Sequence, residues 1–221
     1  MKNFEFHGMA STPAPTPEKG SFGLAESEKS REDIYESSKK LADYISKEEI
    51  KNVFFLDNSA RQAYIGLREM WKKEHDKEVE PSIYFINPDP VRYGYDTDEA
   101  LTKEFNERYY KVDKNEKVLI YDVCIHTGST IFNVQELFKK MGFTDVKIAI
   151  TSVSDECSAE NKEKLDLVCL DDRAKAGCHP YGKPGYIQKT GLMTDKADYN
   201  EKKRHQGTVD HQKIKDVFNE K

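Results

Sequence analysis

Apolar residues along this chain follow two patterns that alternate: short unbroken runs, and longer stretches at helical spacing. Asn52–Leu56 (NVFFL), Ser82–Ile86 (SIYFI) and residues 117–121 (KVLIY) are brief runs, followed by residues 146–151 and 166–170. Runs of this length, without polar alternation, predict strands buried on both faces of a parallel sheet. Between them, apolar residues recur every three or four positions and predict helices. Ile65, Leu67, Met70 and Trp71 mark one over 60–74, and Ile131, Val134, Phe138 and Met141 mark another that Gly142 is suited to stop. Residues 97–108 predict a helix in the polar, aromatic segment before the third strand. Ile34, Leu41 and Ile45 predict one ahead of the first strand, with Ser30 as candidate N-cap. This alternation implies an α/β fold of three layers, a mainly parallel five-stranded sheet with helices on both faces.

The flanks break the pattern. Residues 1–30 are rich in Ser, Thr, Pro, Glu and Lys; a stretch such as STPAPTPEKG cannot bury a core and reads as a flexible arm. The folded domain is expected over 31–192. Its last part, from 171 to 190, holds Pro180, Pro184 and three glycines with Arg173, Lys175, Lys183 and Lys189, a loop-rich hood. Residues 193–221 form a charged tail or a short helix on Ile214, Val217 and Phe218.

Composition narrows the classes. The net charge of −5 argues against a broad nucleic-acid interface, which needs a basic surface. No stretch approaches the ~20 apolar residues of a membrane span, and the N-terminus lacks a signal-peptide core, so a cytoplasmic protein is expected. Cys124, Cys157, Cys169 and Cys178 form no CxxC pair and are expected as reduced, mostly buried thiols. Cys169 and Cys178-His179 lack the further ligands a zinc site needs.

The most informative stretch is residues 118–131, VLIYDVCIHTGSTI. An apolar strand ends in Asp122, and after four intervening positions Thr127-Gly128-Ser129-Thr130 opens a helix. Unpaired N–H groups at a helix start, with small hydroxyl residues and a glycine, make a phosphate cradle. No lysine follows the glycine, as a P-loop requires, and the single glycine excludes a dinucleotide fingerprint. A carboxylate beside such a cradle suits sugar hydroxyls or a metal ion.

The stretch resembles the ligand motif of the type I phosphoribosyltransferases: an apolar strand, two acids, two apolar residues, a variable position and T-G-x-T. The order of strands over 51–170 is similar too. The resemblance implies that Thr127, Gly128, Ser129 and Thr130 hold the 5′-phosphate of phosphoribosyl pyrophosphate. It implies that Asp122 binds the ribose hydroxyls, directly or through Mg²⁺. In this chain Val123 replaces the second acid. His126 stands where an acid often handles the incoming base, either as an acid–base group or as a loop histidine bonded to a neighbour.

The family's pyrophosphate loop maps onto Ser59, Ala60 and Arg61. The same residues also read as a capped helix start with a surface arginine. Arg92 and Tyr93, with Tyr95, fall where the family has a mobile catalytic loop; they reach the ligand or pack locally. The implied activity is transfer of phosphoribosyl to a nitrogenous acceptor, a nucleobase or related compound, with release of pyrophosphate, in a possible homodimer. The alternative is a non-catalytic sensor of phosphoribosyl ligands on the same fold. A hydrolase using Asp57 would need a second acid, but Asp57-Asn58-Ser59 lacks one.

Overall fold

The computed structural model describes residues 27–56, 60–88, 98–170 and 211–220. The elements are α1 (Glu28–Lys47), β1 (Asn52–Leu56), α2 (Ala60–Glu74), β2 (Ser82–Ile86), α3 (Asp98–Arg108), β3 (Val118–Ile125), α4 (Ser129–Lys140), β4 (Val146–Val153), α5 (Ala159–Glu163), β5 (Leu167–Val168) and α6 (residues 211–219). The five strands form one sheet in the order β2-β1-β3-β4-β5, and every pairing is parallel.

The sheet is covered on both faces, which explains the unbroken apolar runs. In β1, Val53 and Phe55 join a cluster with α1, α2 and α6, while Phe54 and Leu56 join the opposite cluster with α3 and α4. In β3, Leu119, Tyr121 and Val123 face the α1–α2 side, and Val118 and Ile120 face α4. Strand period 2 thus splits each run between two cores.

Three boundaries differ from the sequence pattern. The first helix starts at Glu28 because Ser27, not Ser30, is its cap: the Ser30 N–H donates to Ser27 Oγ at 3.0 Å. β3 runs on to Ile125, so Asp122 lies within the strand. On one side β4 keeps pairing through Ile125↔Val153; on the other the β1 ladder ends at Phe55↔Tyr121. β5 shortens to two residues, although Asp166, Cys169 and Leu170 also donate backbone hydrogen bonds to β4.

Residues 211–219 are a helix integral to the domain. Ile214 and Val217 are buried in the α1–α2 cluster, Tyr35 and Phe218 pack ring to ring at 5.6 Å, and Arg31 pairs with Glu220. No described helix is long and apolar enough to cross a membrane.

Candidate functional site

The chain direction reverses its progress across the sheet between β1 and β3. From β1 it moves through α2 to β2 at one edge; from β3 it moves through α4 towards β4 and β5. α2 packs on one face and α4 on the other, so their N-termini flank a crevice at the carboxyl ends of the two central strands. Open α/β sheets bind ligands at this switch point. The same strand order serves unrelated functions, so the residues lining the crevice must decide what it holds.

On the β3 side the crevice is formed by the turn 126–128 and the start of α4. Gly128 is the N-cap residue, in the left-handed region with φ 87°, and offers no capping side chain. A Cβ there would stand 2.5 Å from Phe132 Cε2, so glycine is required both for backbone conformation and for space. The first intrahelical bond runs from the Phe132 N–H to the Gly128 carbonyl at 3.1 Å. The N–H groups of Ser129, Thr130 and Ile131 therefore precede the helical ladder. That of Ser129 reaches Thr127 Oγ1 only at 3.4 Å, and the Thr127 hydroxyl donates to Ser129 Oγ at 3.2 Å. Thr127 and Ser129 are exposed, Thr130 is half-buried and Gly128 is buried. α1 and α5, by contrast, have their first turns capped by Ser27 and Ser158. The four predicted residues thus come together as a short arc of hydroxyls and amides at a positive helix end.

Asp122 is the first residue of β3 beyond the β1 ladder. Its Oδ1 accepts the Val123 N–H at 2.7 Å, which helps fix the carboxylate beside the crevice. Val123 is fully buried among α1- and α2-side residues. A carboxylate at 123 would enter an apolar core, so the second-acid position is a packing position in this chain. His126 is an exposed side chain whose Nδ1 lies 3.9 Å from Glu156 Oε2, too far for a hydrogen bond.

Arg61 does not stand free at the helix start. Its guanidinium lies over the Phe85 ring, 4.2 Å from the centroid, and Ala60 is buried. Stacking fixes the plane of a guanidinium while its edge can still donate. Ser59, with Asp57 and Asn58, lies outside the described residues, as do Arg92, Tyr93, Tyr95, the hood and Cys178-His179.

Cys124 lies two residues from Asp122 on the same strand. Burial pushes its thiol pKa up, a hydrogen bond from Ser152 opposes this, and the Asp122 charge raises it further. These effects favour the neutral thiol over the thiolate. Cys157 and Cys169 are buried free thiols, and no described cluster of three His, Cys, Asp or Glu could hold a metal ion. Among the described residues the crevice offers Mg²⁺ one carboxylate, Asp122, and the ion usually takes its remaining ligands from phosphates and water.

Two residues of the site carry no signal in the sequence. Asn161, in α5, donates from Nδ2 to the Thr127 carbonyl at 2.9 Å across 34 positions of chain. Phe132 packs beneath Gly128. A cleft of about 830 Å³ at the amino end of the sheet includes Trp71, Tyr84 and Glu116. It has neither an open helix N-terminus nor a glycine turn.

No protein-family model matches the chain, and no curated protein matches its sequence. Its fold is similar to those of several solved phosphoribosyltransferases. A hypoxanthine phosphoribosyltransferase from Staphylococcus aureus is 14% identical with a TM-score of 0.43, over 65% of this chain and 77% of that one. A purine phosphoribosyltransferase from Pyrococcus horikoshii is 17% identical, TM-score 0.40, over 62% and 80%. A hypoxanthine phosphoribosyltransferase of Trypanosoma cruzi is 14% identical, TM-score 0.41, over 67% and 79%.

Proposed function

We propose that the crevice binds phosphoribosyl pyrophosphate and that the chain transfers its phosphoribosyl group to a nitrogenous acceptor. The observation that carries this reading is the open turn Thr127–Thr130 beside Asp122 at the switch point. The amides and hydroxyls of the turn would take the 5′-phosphate. Asp122 would hold the ribose hydroxyls, directly or through Mg²⁺, which when bound would help neutralise the pyrophosphate.

In the reaction the bond from the anomeric carbon to the pyrophosphate oxygen breaks, and pyrophosphate leaves with the electron pair. A bond from the same carbon to the acceptor nitrogen forms, and that nitrogen loses its proton. The anomeric carbon passes through an oxocarbenium-like state, which the nearby Asp122 carboxylate would favour. Anchoring the phosphate and the hydroxyls at fixed points removes most of the orientational freedom of the sugar. His126, exposed beside the turn, would accept the nitrogen's proton.

Val123 supports a second reading, a non-catalytic sensor of phosphoribosyl ligands. With that side chain in the core, the site keeps its phosphate turn and has only one acid of the motif. Pyrophosphate release from phosphoribosyl pyrophosphate, with Mg²⁺ and a panel of purine and pyrimidine bases, separates the two. Release with any base supports the enzyme, and binding without release across the panel supports the sensor. Absence of binding by calorimetry would reject both.

A further inference from the structure

We infer that Asn161 is a positioning residue that sets the direction of the Gly128 N–H, and so switches the phosphate turn into its donor-out state. The inference rests on the proposed phosphate role of that turn and adds the device that holds it. The peptide between Thr127 and Gly128 is planar and trans, so its C=O and N–H point opposite ways. Asn161 Nδ2 donates to the Thr127 carbonyl at 2.9 Å and pulls that oxygen towards α5. The Gly128 N–H must then face away from α5. Rotating this peptide by half a turn would put a carbonyl oxygen where the amide was, against any bound anion.

Such a rotation changes ψ of Thr127 and φ of Gly128. A glycine passes between positive and negative φ at little cost, so Gly128 alone does not fix the peptide. Its other ties act elsewhere: its own carbonyl accepts from the Phe132 N–H, and Phe132 packs against its Cα side. Among the described residues, Asn161 makes the one side-chain hydrogen bond to this peptide from outside the turn.

The amide of Asn161 is itself oriented. A carbonyl can only accept, so the group facing Thr127 must be the NH₂. The opposite end, Oδ1, accepts from Lys164 Nζ at 3.3 Å, and the Asn161 backbone N–H donates to Ser158 Oγ at 3.2 Å. Lys164 also lies 5.6 Å from the centroid of the Phe132 ring. One short helix thus braces the turn at its carbonyl and flanks the ring beneath its glycine.

The test compares wild type, Asn161→Ala and Asn161→Asp. Asp keeps the size and strengthens the contact with Lys164, but presents an acceptor to the Thr127 carbonyl. Calorimetric titration with ribose 5-phosphate should show about tenfold weaker binding for Asn161→Ala, if the donor-out state falls to about a tenth of the population. Asn161→Asp should be weaker still, with wild-type thermal stability. In ¹⁵N spectra of the ligand-free protein, the Gly128 amide should move or split in both variants. An unmoved Gly128 resonance in both would overturn the inference, as would wild-type affinity in Asn161→Asp. Should wild type fail to bind ribose 5-phosphate, the phosphate reading fails, and the Gly128 resonance still decides whether Asn161 sets the peptide.

Discussion

Substituting alanine at Gly128 puts two separable burdens on one residue. A non-glycine residue at φ 87° is in the left-handed region, which costs about 1–2 kcal/mol. The new methyl also meets Phe132, with Cε2 at 2.5 Å and Cδ2 at 2.9 Å. That ring packs against the α3–α4 core, so it moves only by disturbing its neighbours, and overpacking of this kind costs about 1–3 kcal/mol. Gly128→Ala should therefore destabilise the fold by about 2–5 kcal/mol in total. Urea unfolding of Gly128→Ala, Phe132→Ala and the double variant separates the two terms in a cycle. Removing the ring should recover the overpacking part and leave the backbone part. Ribose 5-phosphate affinity, by calorimetry, should fall in Gly128→Ala and stay low in the double variant, because the turn relaxes away from the αL geometry that aims its amides. A single variant with wild-type stability and affinity would refute both the strain and the role of the turn. Additive effects of the two substitutions would refute the steric part alone.

Asp122→Asn should lower the affinity for phosphoribosyl pyrophosphate in the presence of Mg²⁺ with little change in unfolding midpoint; equal calorimetric affinity would remove the carboxylate from the ribose site. His75 joins α1 to the end of α2 through Asp43 at 3.1 Å and Glu78 at 2.9 Å. Burial lowers its pKa, but hydrogen bonds and charge from Glu78 and Asp43 outweigh this and leave it raised. The folded state then binds the proton more tightly. The stability His75 contributes is full below its unfolded pKa, ~6.5, and is lost as pH rises through the higher folded value. The stability difference between wild type and His75→Ala, from urea unfolding, should shrink from pH 6 to pH 9; a gap that widens would show the sign to be wrong. Ile214→Ala should destabilise by about 2–5 kcal/mol, since Ile214 is fully buried between helices; a loss near zero would mean that α6 is not part of the core.

The sheet was legible because helices cover both of its faces: β1 and β2 have the bounds their apolar runs predict. Misplacement came where a local signal had two meanings. Asp122 reads as the polar end of a strand, yet the strand continues because β4 still pairs with it after β1 has stopped. Strand ends are set by the neighbour as well as by the residue. Ser30 reads as a cap; the geometry of the first turn chooses Ser27, whose oxygen meets an N–H three residues on. Ile214, Val217 and Phe218 announce a helix, but nothing in their own spacing says which core receives it.

The site shows the same division more sharply. The turn proposed for phosphate is readable because such binding would use contiguous residues and backbone amides, so its chemistry is written locally. Val123 is different. The sequence shows only that an acid is missing; the structure shows that position 123 faces the α1–α2 core while Asp122 faces the other way. Restoring the acid by substitution would therefore bury a charge beside Leu119 and Tyr121 rather than rebuild a ligand pair. Asn161 is less legible still, since a hydrogen bond across 34 positions leaves no periodic or motif trace. On the proposed reading, the sequence carries the group that would touch the anion, and only the fold supplies the group that would aim it.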